Sequence, residues 1–221
     1  MGITGVLLDI DGTLIDSNDA HARAWVKALA EAGVKAEFAT VRRLIGKGGD
    51  KLLPEVSGID AESDEGKAIS ERRGEVFRTE YLPGLRPTPG ARELLARMKK
   101  AGLELAVASS AKKDELKDLL KVCGADEFIE ASTSSDDAEN SKPDPDIVHA
   151  ALEELGHPKE QVVLLGDTPY DVEAARKAGV RVVALRCGGW GDDDLKGAVR
   201  IYDDPAELLA RFGESPFGGR S

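Results

Sequence analysis

Two aspartates one residue apart, Asp9 and Asp11, follow the apolar run Val6-Leu7-Leu8. Alternate residues of a strand share a face, so both carboxylates point the same way just past a buried run. Gly12 then lets the chain turn sharply. Carboxylates held together repel and call for a proton or a cation. A hard divalent ion with oxygen ligands, such as Mg²⁺, answers that need. Two plainer readings compete. Asp-Gly between alternating apolar residues is also a hairpin signal. A calcium loop needs Gly at its sixth position and Glu at its twelfth; counting from Asp9, those places hold Leu14 and Ala20, which excludes it.

Three further segments follow in order. An apolar run ends in a hydroxyl at Leu105-Ala106-Val107-Ala108-Ser109, and a lysine precedes a proline at Ser141-Lys142-Pro143-Asp144-Pro145. A second acidic strand end stands at Val162-Val163-Leu164-Leu165-Gly166-Asp167, with Asp171 four residues on. Singly, each has an ordinary reading. Ser109 suits a helix cap. Lys142 suits the surface. Asp167 suits the cap of a helix beginning near Pro169. Together with Asp9-Ile10-Asp11-Gly12-Thr13-Leu14 they resemble the haloacid dehalogenase-like phosphohydrolase superfamily, whose first motif reads Asp-x-Asp-Gly-Thr-Leu/Val. The resemblance runs from about residue 3 to 212.

That resemblance implies a phosphoryl-transfer site. Asp9 is the implied nucleophile, forming an aspartyl-phosphate. Asp11 is the implied acid that protonates the leaving oxygen and the base that later activates water. Asp9, the carbonyl of Ile10 and Asp167 would hold Mg²⁺. Ser109 and Lys142 would bind phosphoryl oxygens, and the amides of Asp11, Gly12 and Ser110 would add fixed donors. Asp171, one helical turn after Asp167, would orient the metal shell or Lys142. The dehalogenase branch lacks the second aspartate, so Asp11 favours phosphoryl transfer. His21, Ala24 and Trp25 resemble the His-x-x-Ala-Trp stretch of β-phosphoglucomutase relatives, where the histidine lies in a hinge near the acid/base aspartate. The cap arginine those mutases use for a second phosphate has no clear counterpart; Lys47 and Lys51 are imperfect stand-ins. The expected activity is hydrolysis of a small phosphomonoester, a phosphosugar or a phosphoglycolate-like acid. The alternatives are a β-phosphoglucomutase-type phosphotransferase and a binding protein on the same fold.

Elements that could position these residues alternate along the chain. Strands are expected at Gly5–Ile10, Glu104–Ser109, Phe128–Ala131, Val162–Gly166 and Arg181–Leu185. Helices are expected at Pro89–Ala101, Lys112–Cys123, Asp144–Leu155 and Pro169–Ala178, each followed by a glycine stop. Such alternation predicts an α/β fold, a doubly wound parallel sheet covered by helices, with ligands beyond the carboxyl ends of the strands. Residues 17–85 carry helical periodicity and no strand signal, which predicts an all-helical cap inserted into a core of 1–16 and 86–213. Within it, Gly46-Lys47-Gly48-Gly49-Asp50-Lys51 is not a Walker loop. It suits either a glycine turn whose Lys47, Gly48 and Lys51 meet an anionic substrate, or a solvated turn. His149 and His157 suit structural or exposed places, and Asp192-Asp193-Asp194 a solvated turn. Residues 214–221 suit a flexible tail.

Composition limits the partners. With 30 Lys+Arg against 41 Asp+Glu, the net charge of −11 disfavours nucleic acid and anionic membranes. Two cysteines, Cys123 and Cys187, do not make a disulfide framework. No run is long and apolar enough to span a membrane, and no export signal is legible. The expectation is a cytoplasmic monomer or small homo-oligomer acting on a small phosphorylated metabolite.

Overall fold

A computed structural model describes residues 2–219. Six parallel strands form one sheet in the order β3-β2-β1-β4-β5-β6. They are β1 (Gly5–Leu8), β2 (Glu104–Ala108), β3 (Ala131–Thr133), β4 (Val162–Gly166), β5 (Arg181–Leu185) and β6 (Arg200–Tyr202). Central β1 is buried throughout, as a strand covered on both faces must be. Val6 and Leu8 face a cluster built with Leu94, Leu95, Leu116 and Leu119 from the helices α5 (Ala91–Lys100) and α6 (Lys113–Cys123). Leu7 faces the opposite cluster, with Ile147, Val148, Ala174 and Ala175 from α7 (Asp146–Leu155) and α8 (Pro169–Ala178). The doubly wound α/β sheet is therefore present, and the direction of the chain's progress reverses at β1. That reversal opens a crevice past the ends of β1, β2 and β4.

Residues 18–84 hold α1 (Asn18–Glu31), α2 (Phe38–Leu44), α3 (Gly49–Ser57) and α4 (Asp64–Val76), the last continuing into a π turn at Phe77–Tyr81. Ala22, Trp25, Leu29, Val41, Leu52, Leu53 and Ile69 form a separate apolar cluster among these helices.

Several boundaries differ from expectation. β1 stops at Leu8 rather than Ile10, because Ile10 and its followers enter a tight turn. Phe128 and Ile129 are not strand. Phe128 donates to the Ala125 carbonyl in a turn and packs its ring on the core, which moves β3 to Ala131–Thr133. The edge strand β6 and the short helix α9 (Pro205–Ala210) were not anticipated. Part of the expected tail is ordered core: Phe217 is buried and stacks on Phe212, and the Ser215 hydroxyl donates to the Phe212 carbonyl at 2.7 Å. Residues 220 and 221 of that tail lie outside the described residues. Among the described residues no helix is long and apolar enough to cross a membrane.

Candidate active site

Asp9 leaves the end of β1 with its amide bonded to the Leu165 carbonyl of β4, so its carboxylate sits beside the next strand's exit. Asp167 leaves β4 one residue past its end and is fully buried. Asp171 lies in the first turn of α8. Carboxylate oxygens of Asp9, Asp167 and Asp171 come within 4.8 Å of one another. The ammonium of Lys142, also buried, donates to Asp9 Oδ1 at 2.5 Å and Asp171 Oδ1 at 2.7 Å. The Asp171 Oδ2 atom accepts from the amide and hydroxyl of Thr168, closing a capping box at the start of α8. Asp171 therefore ties Lys142 to a helix terminus.

The charges explain the titration of the cluster. Three carboxylates and one ammonium stand together in a largely buried place, with Asp9 bordering the cavity. Burial pushes Asp9 up to about 7, against the pull of Lys142 and with Asp171 and Asp11 adding to the rise. Burial also holds Asp167 well above its ordinary range, with Asp9 and Asp171 adding to it. Burial works to lower Lys142, but Asp171 and Asp9 hold it above an ordinary lysine. An all-oxygen donor set with excess negative charge fits a hard divalent cation and fits soft metals poorly.

Asp11 is held apart from this cluster. Its Oδ1 accepts from the Ser17 hydroxyl at 2.5 Å and lies 2.8 Å from His21 Nε2. Burial works to raise Asp11, but His21, Ser17 and the charge of Arg73 together hold it below the usual carboxylate range. His21 is itself fixed by stacking on Phe77 of the π turn, with ring centroids 3.9 Å apart. Ser17 stands at the start of α1 and gives its hydroxyl to Asp11 rather than to the helix end.

The other expected residues divide. Ser109 lies past β2 on the wall shared with Asp9 and Asp11, where its hydroxyl accepts from the Ala111 amide at 3.1 Å. Ser110 lines the same wall, and its Oγ is buried without a hydrogen-bond partner. Gly12 stands at the turn with φ +79°, where a Cβ would meet Asn18 and Asp167 at 2.1 and 2.2 Å. Two peptide groups expected to face ligands are engaged within the turn. The Gly12 amide donates to the Ile15 carbonyl at 2.7 Å, so the turn already uses the donor expected for phosphate. The Ile10 carbonyl accepts from Thr13, Leu14 and Ile15, so the turn uses the oxygen expected for the metal.

In the glycine segment, Lys47 and Gly48 border the cavity but Lys51 does not. Lys47 pairs with Glu55 and lies over the Tyr170 ring; Lys51 pairs with Asp144, at the loop before α7. Each lysine has a carboxylate partner in the absence of substrate, and of the two only Lys47 stands where an anionic substrate could meet it. Gly48 instead docks the segment on the core: its amide donates to Ser141 Oγ at 3.1 Å, next to Lys142. His157 contacts Thr4 and Glu104 at the opposite end of the sheet.

Four neighbours of the site had not been anticipated. The Thr13 hydroxyl reaches Asp167 Oδ1 at 2.9 Å and Asp9 Oδ2 at 3.3 Å; Asn18 Nδ2 donates to Asp167 Oδ2 at 2.9 Å. Thr13 stands four residues after Asp9 inside the first motif, a signal that was legible. Asn18, the first residue of α1, falls between the first motif and the His21 stretch and belongs to neither pattern. Arg73 of α4 and Glu115 of α6 border the cavity and pair with each other, across 42 positions of sequence that no local pattern links.

A family model described as haloacid dehalogenase-like hydrolase matches residues 6–185. The phosphoglycolate phosphatase of Rhodospirillum rubrum is 31% identical over 223 residues, covering 97% of this chain and 92% of that protein. The pyrophosphatase PpaX of Bacillus velezensis is 29% identical, covering 96% of this chain and 94% of its own. Among solved structures, a hydrolase from Pseudomonas syringae superposes with a TM-score of 0.88 at 31% identity, over 96% of this chain and 98% of the other. Matched so over nearly its whole length, the chain belongs to the haloacid dehalogenase-like hydrolase family.

Proposed function

We propose that the protein is a Mg²⁺-dependent phosphatase that hydrolyses a small phosphomonoester through a phosphorylated Asp9. The observation that carries this is the separation of two aspartate environments. Asp9 lies in a buried, cation-seeking carboxylate cluster, whereas Asp11 lies two residues away in a hydrogen-bonded site of its own. In this reading Asp9 attacks and Asp11 moves protons.

Asp9 and Asp167 would hold the metal, with Asp171, Thr13 and Asn18 fixing their orientation. A bound Mg²⁺ supplies charge neutralisation between the attacking carboxylate and the phosphoryl oxygens. Lys142 offers a second positive charge on the same side, and Ser109 and Ser110 line the approach. Asp11 is ionised in the free protein. A dianionic phosphate arriving beside it raises its proton affinity, which suits a group that must give a proton first and take one later. Residues 17–85 serve as a cap in this reading, docked through Gly48 on the loop of Lys142. The β-phosphoglucomutase-type alternative would need a cap cation for a second phosphate, and Lys47 and Lys51 each pair with a carboxylate in this structure.

Release of phosphate from p-nitrophenyl phosphate, abolished by EDTA and restored by Mg²⁺, tests the proposal. Full turnover in chelator refutes the metal role. A pH dependence accompanies it. Asp9 and Asp167 hold protons more tightly than usual in the metal-free protein, and the metal takes the ionised form. Apparent metal affinity should therefore fall as pH drops below about 7, by roughly tenfold per unit for each proton displaced. Calorimetry in two buffers of different ionisation enthalpy should show proton release; its absence at pH 6 counts against the assignment.

Gly188 supplies a further check. A Cβ there would lie 1.9 Å from Asp167 Oδ2, while Thr13 and Asn18 hold that carboxylate from other sides. Gly188→Ala should therefore raise the Mg²⁺ concentration for half-maximal activity by about tenfold or more. An unchanged metal requirement would remove Asp167 from the metal site.

A further inference from the structure

Two cavities meet at one wall. The smaller lies beside Asp9 and Asp11, and the larger has a volume of about 810 Å³; Trp25, Gly49, Arg73, Ser110 and Glu115 line both. A phosphoryl group at Asp9 therefore directs its leaving group past these residues. The larger volume suits a leaving group well beyond a two-carbon acid.

The charge state of that wall is set by one pair. Arg73 Nη1 donates to both Glu115 oxygens, at 3.0 and 2.8 Å, and the two side chains are only 13% and 5% exposed. As a unit the pair is neutral. An anionic leaving group would set a second negative charge beside the buried Glu115 carboxylate, whose charge Arg73 already offsets, and would leave one of the two uncompensated, which is costly. Uncharged hydroxyls face no such conflict. They can accept from Arg73 Nε, which is buried without a hydrogen-bond partner, and donate to the spare lone pairs of Glu115. Ser110 Oγ, buried and equally unpartnered, adds a third polar atom on the same wall. Trp25, whose ring centroid lies 5.3 Å from the Arg73 guanidinium, supplies an apolar surface beside them. Lys67, Arg78, Lys112 and Lys113 also border the larger cavity, but all four are exposed on a rim that carries acidic side chains as well, where water screens them.

We propose that Arg73, Glu115 and Ser110 form the leaving-group subsite, and that the substrate is a monophosphorylated polyol rather than a bisphosphate or a phosphorylated acid. This inference rests on the phosphatase reading above. Its test measures kcat/KM of the full-length protein with Mg²⁺ on ribose 5-phosphate, glucose 6-phosphate, 2-phosphoglycolate and fructose 1,6-bisphosphate. The best sugar monophosphate should exceed both anionic-leaving-group esters by about tenfold or more. Glu115→Gln unmasks the charge of Arg73, so it should shift that ratio toward the anionic esters by about tenfold. Arg73→Gln should lower kcat/KM on the sugar monophosphates mainly through KM. The proposal falls if an anionic ester is turned over as well as the best sugar monophosphate, or if folded Glu115→Gln leaves the ratio unchanged. Should that variant fail to fold, as judged by circular dichroism, the wild-type ranking decides alone. Failure to turn over p-nitrophenyl phosphate at all would instead overturn the phosphatase reading itself.

Discussion

Asp9→Asn should lower turnover of every phosphomonoester by at least ~10³-fold, about 4 kcal/mol of barrier, while the protein stays folded. The amide keeps the shape of the carboxylate but loses its charge and nucleophilic oxygen. Structural damage should be small, because Lys142 keeps Asp171 as a partner and the strand-end hydrogen bond from the Asp9 amide is backbone. The substitution also removes one charge from a cluster in which burial already pushes Asp9 up to about 7. A melting temperature unchanged or raised should therefore accompany the lost activity. Steady-state assays and a thermal melt on the same preparation check both halves. A near-normal rate in material free of native enzyme would sink the covalent mechanism. A collapsed fold would show that the Lys142–Asp9 contact is structural first.

The strands β4 and β5 and the helix α8 stand at the residues their patterns predicted, because each is a regular apolar or amphipathic run bounded by a turn signal. Asp9, Asp167, Asp171 and Lys142 were legible for a related reason. Each lies on a short, patterned segment at a strand end or loop, and a parallel sheet brings such ends together. What could not be read was orientation within a tight turn. The peptide groups of Ile10 and Gly12 look available in sequence, yet the turn spends both internally. Nor do charges reveal their partners. Lys47 and Lys51 look free beside glycines, and only folding sets Glu55 and Asp144 against them. Arg73 shows the converse. On α4 it is one charge among many on a polar helix, and Glu115 is another on α6. Their pairing, 42 residues apart, exists only because the helical segment folds back over the strand ends. The edge strand β6 escaped because three residues are too few for alternation to show, and Phe217 because a glycine-rich neighbourhood hid a buried ring.

The division of labour proposed for Asp9 and Asp11 makes the sharpest test. Asp11→Asn should cost a large factor, about 10²-fold or more, on alkyl phosphates, whose leaving oxygen needs a proton. On p-nitrophenyl phosphate the first step should suffer less, because that leaving group departs without one. Water then lacks its base, so the phosphorylated Asp9 should persist and accumulate. The geometry favours a clean separation. Asp11 takes its hydrogen bonds from Ser17 and His21, whereas Asp9 takes its from Lys142 and Thr13, so removing the charge of one leaves the other's contacts in place. Rapid quench followed by mass spectrometry should find one added phosphoryl group on a peptide containing Asp9, and none when Asp9→Asn is added to the same protein. A phosphoryl group mapped to Ser109 or His21 would show that the nucleophile has been misassigned. Equal losses on both ester classes, with no trapped intermediate, would show that Asp11 acts by shaping the turn rather than by moving protons.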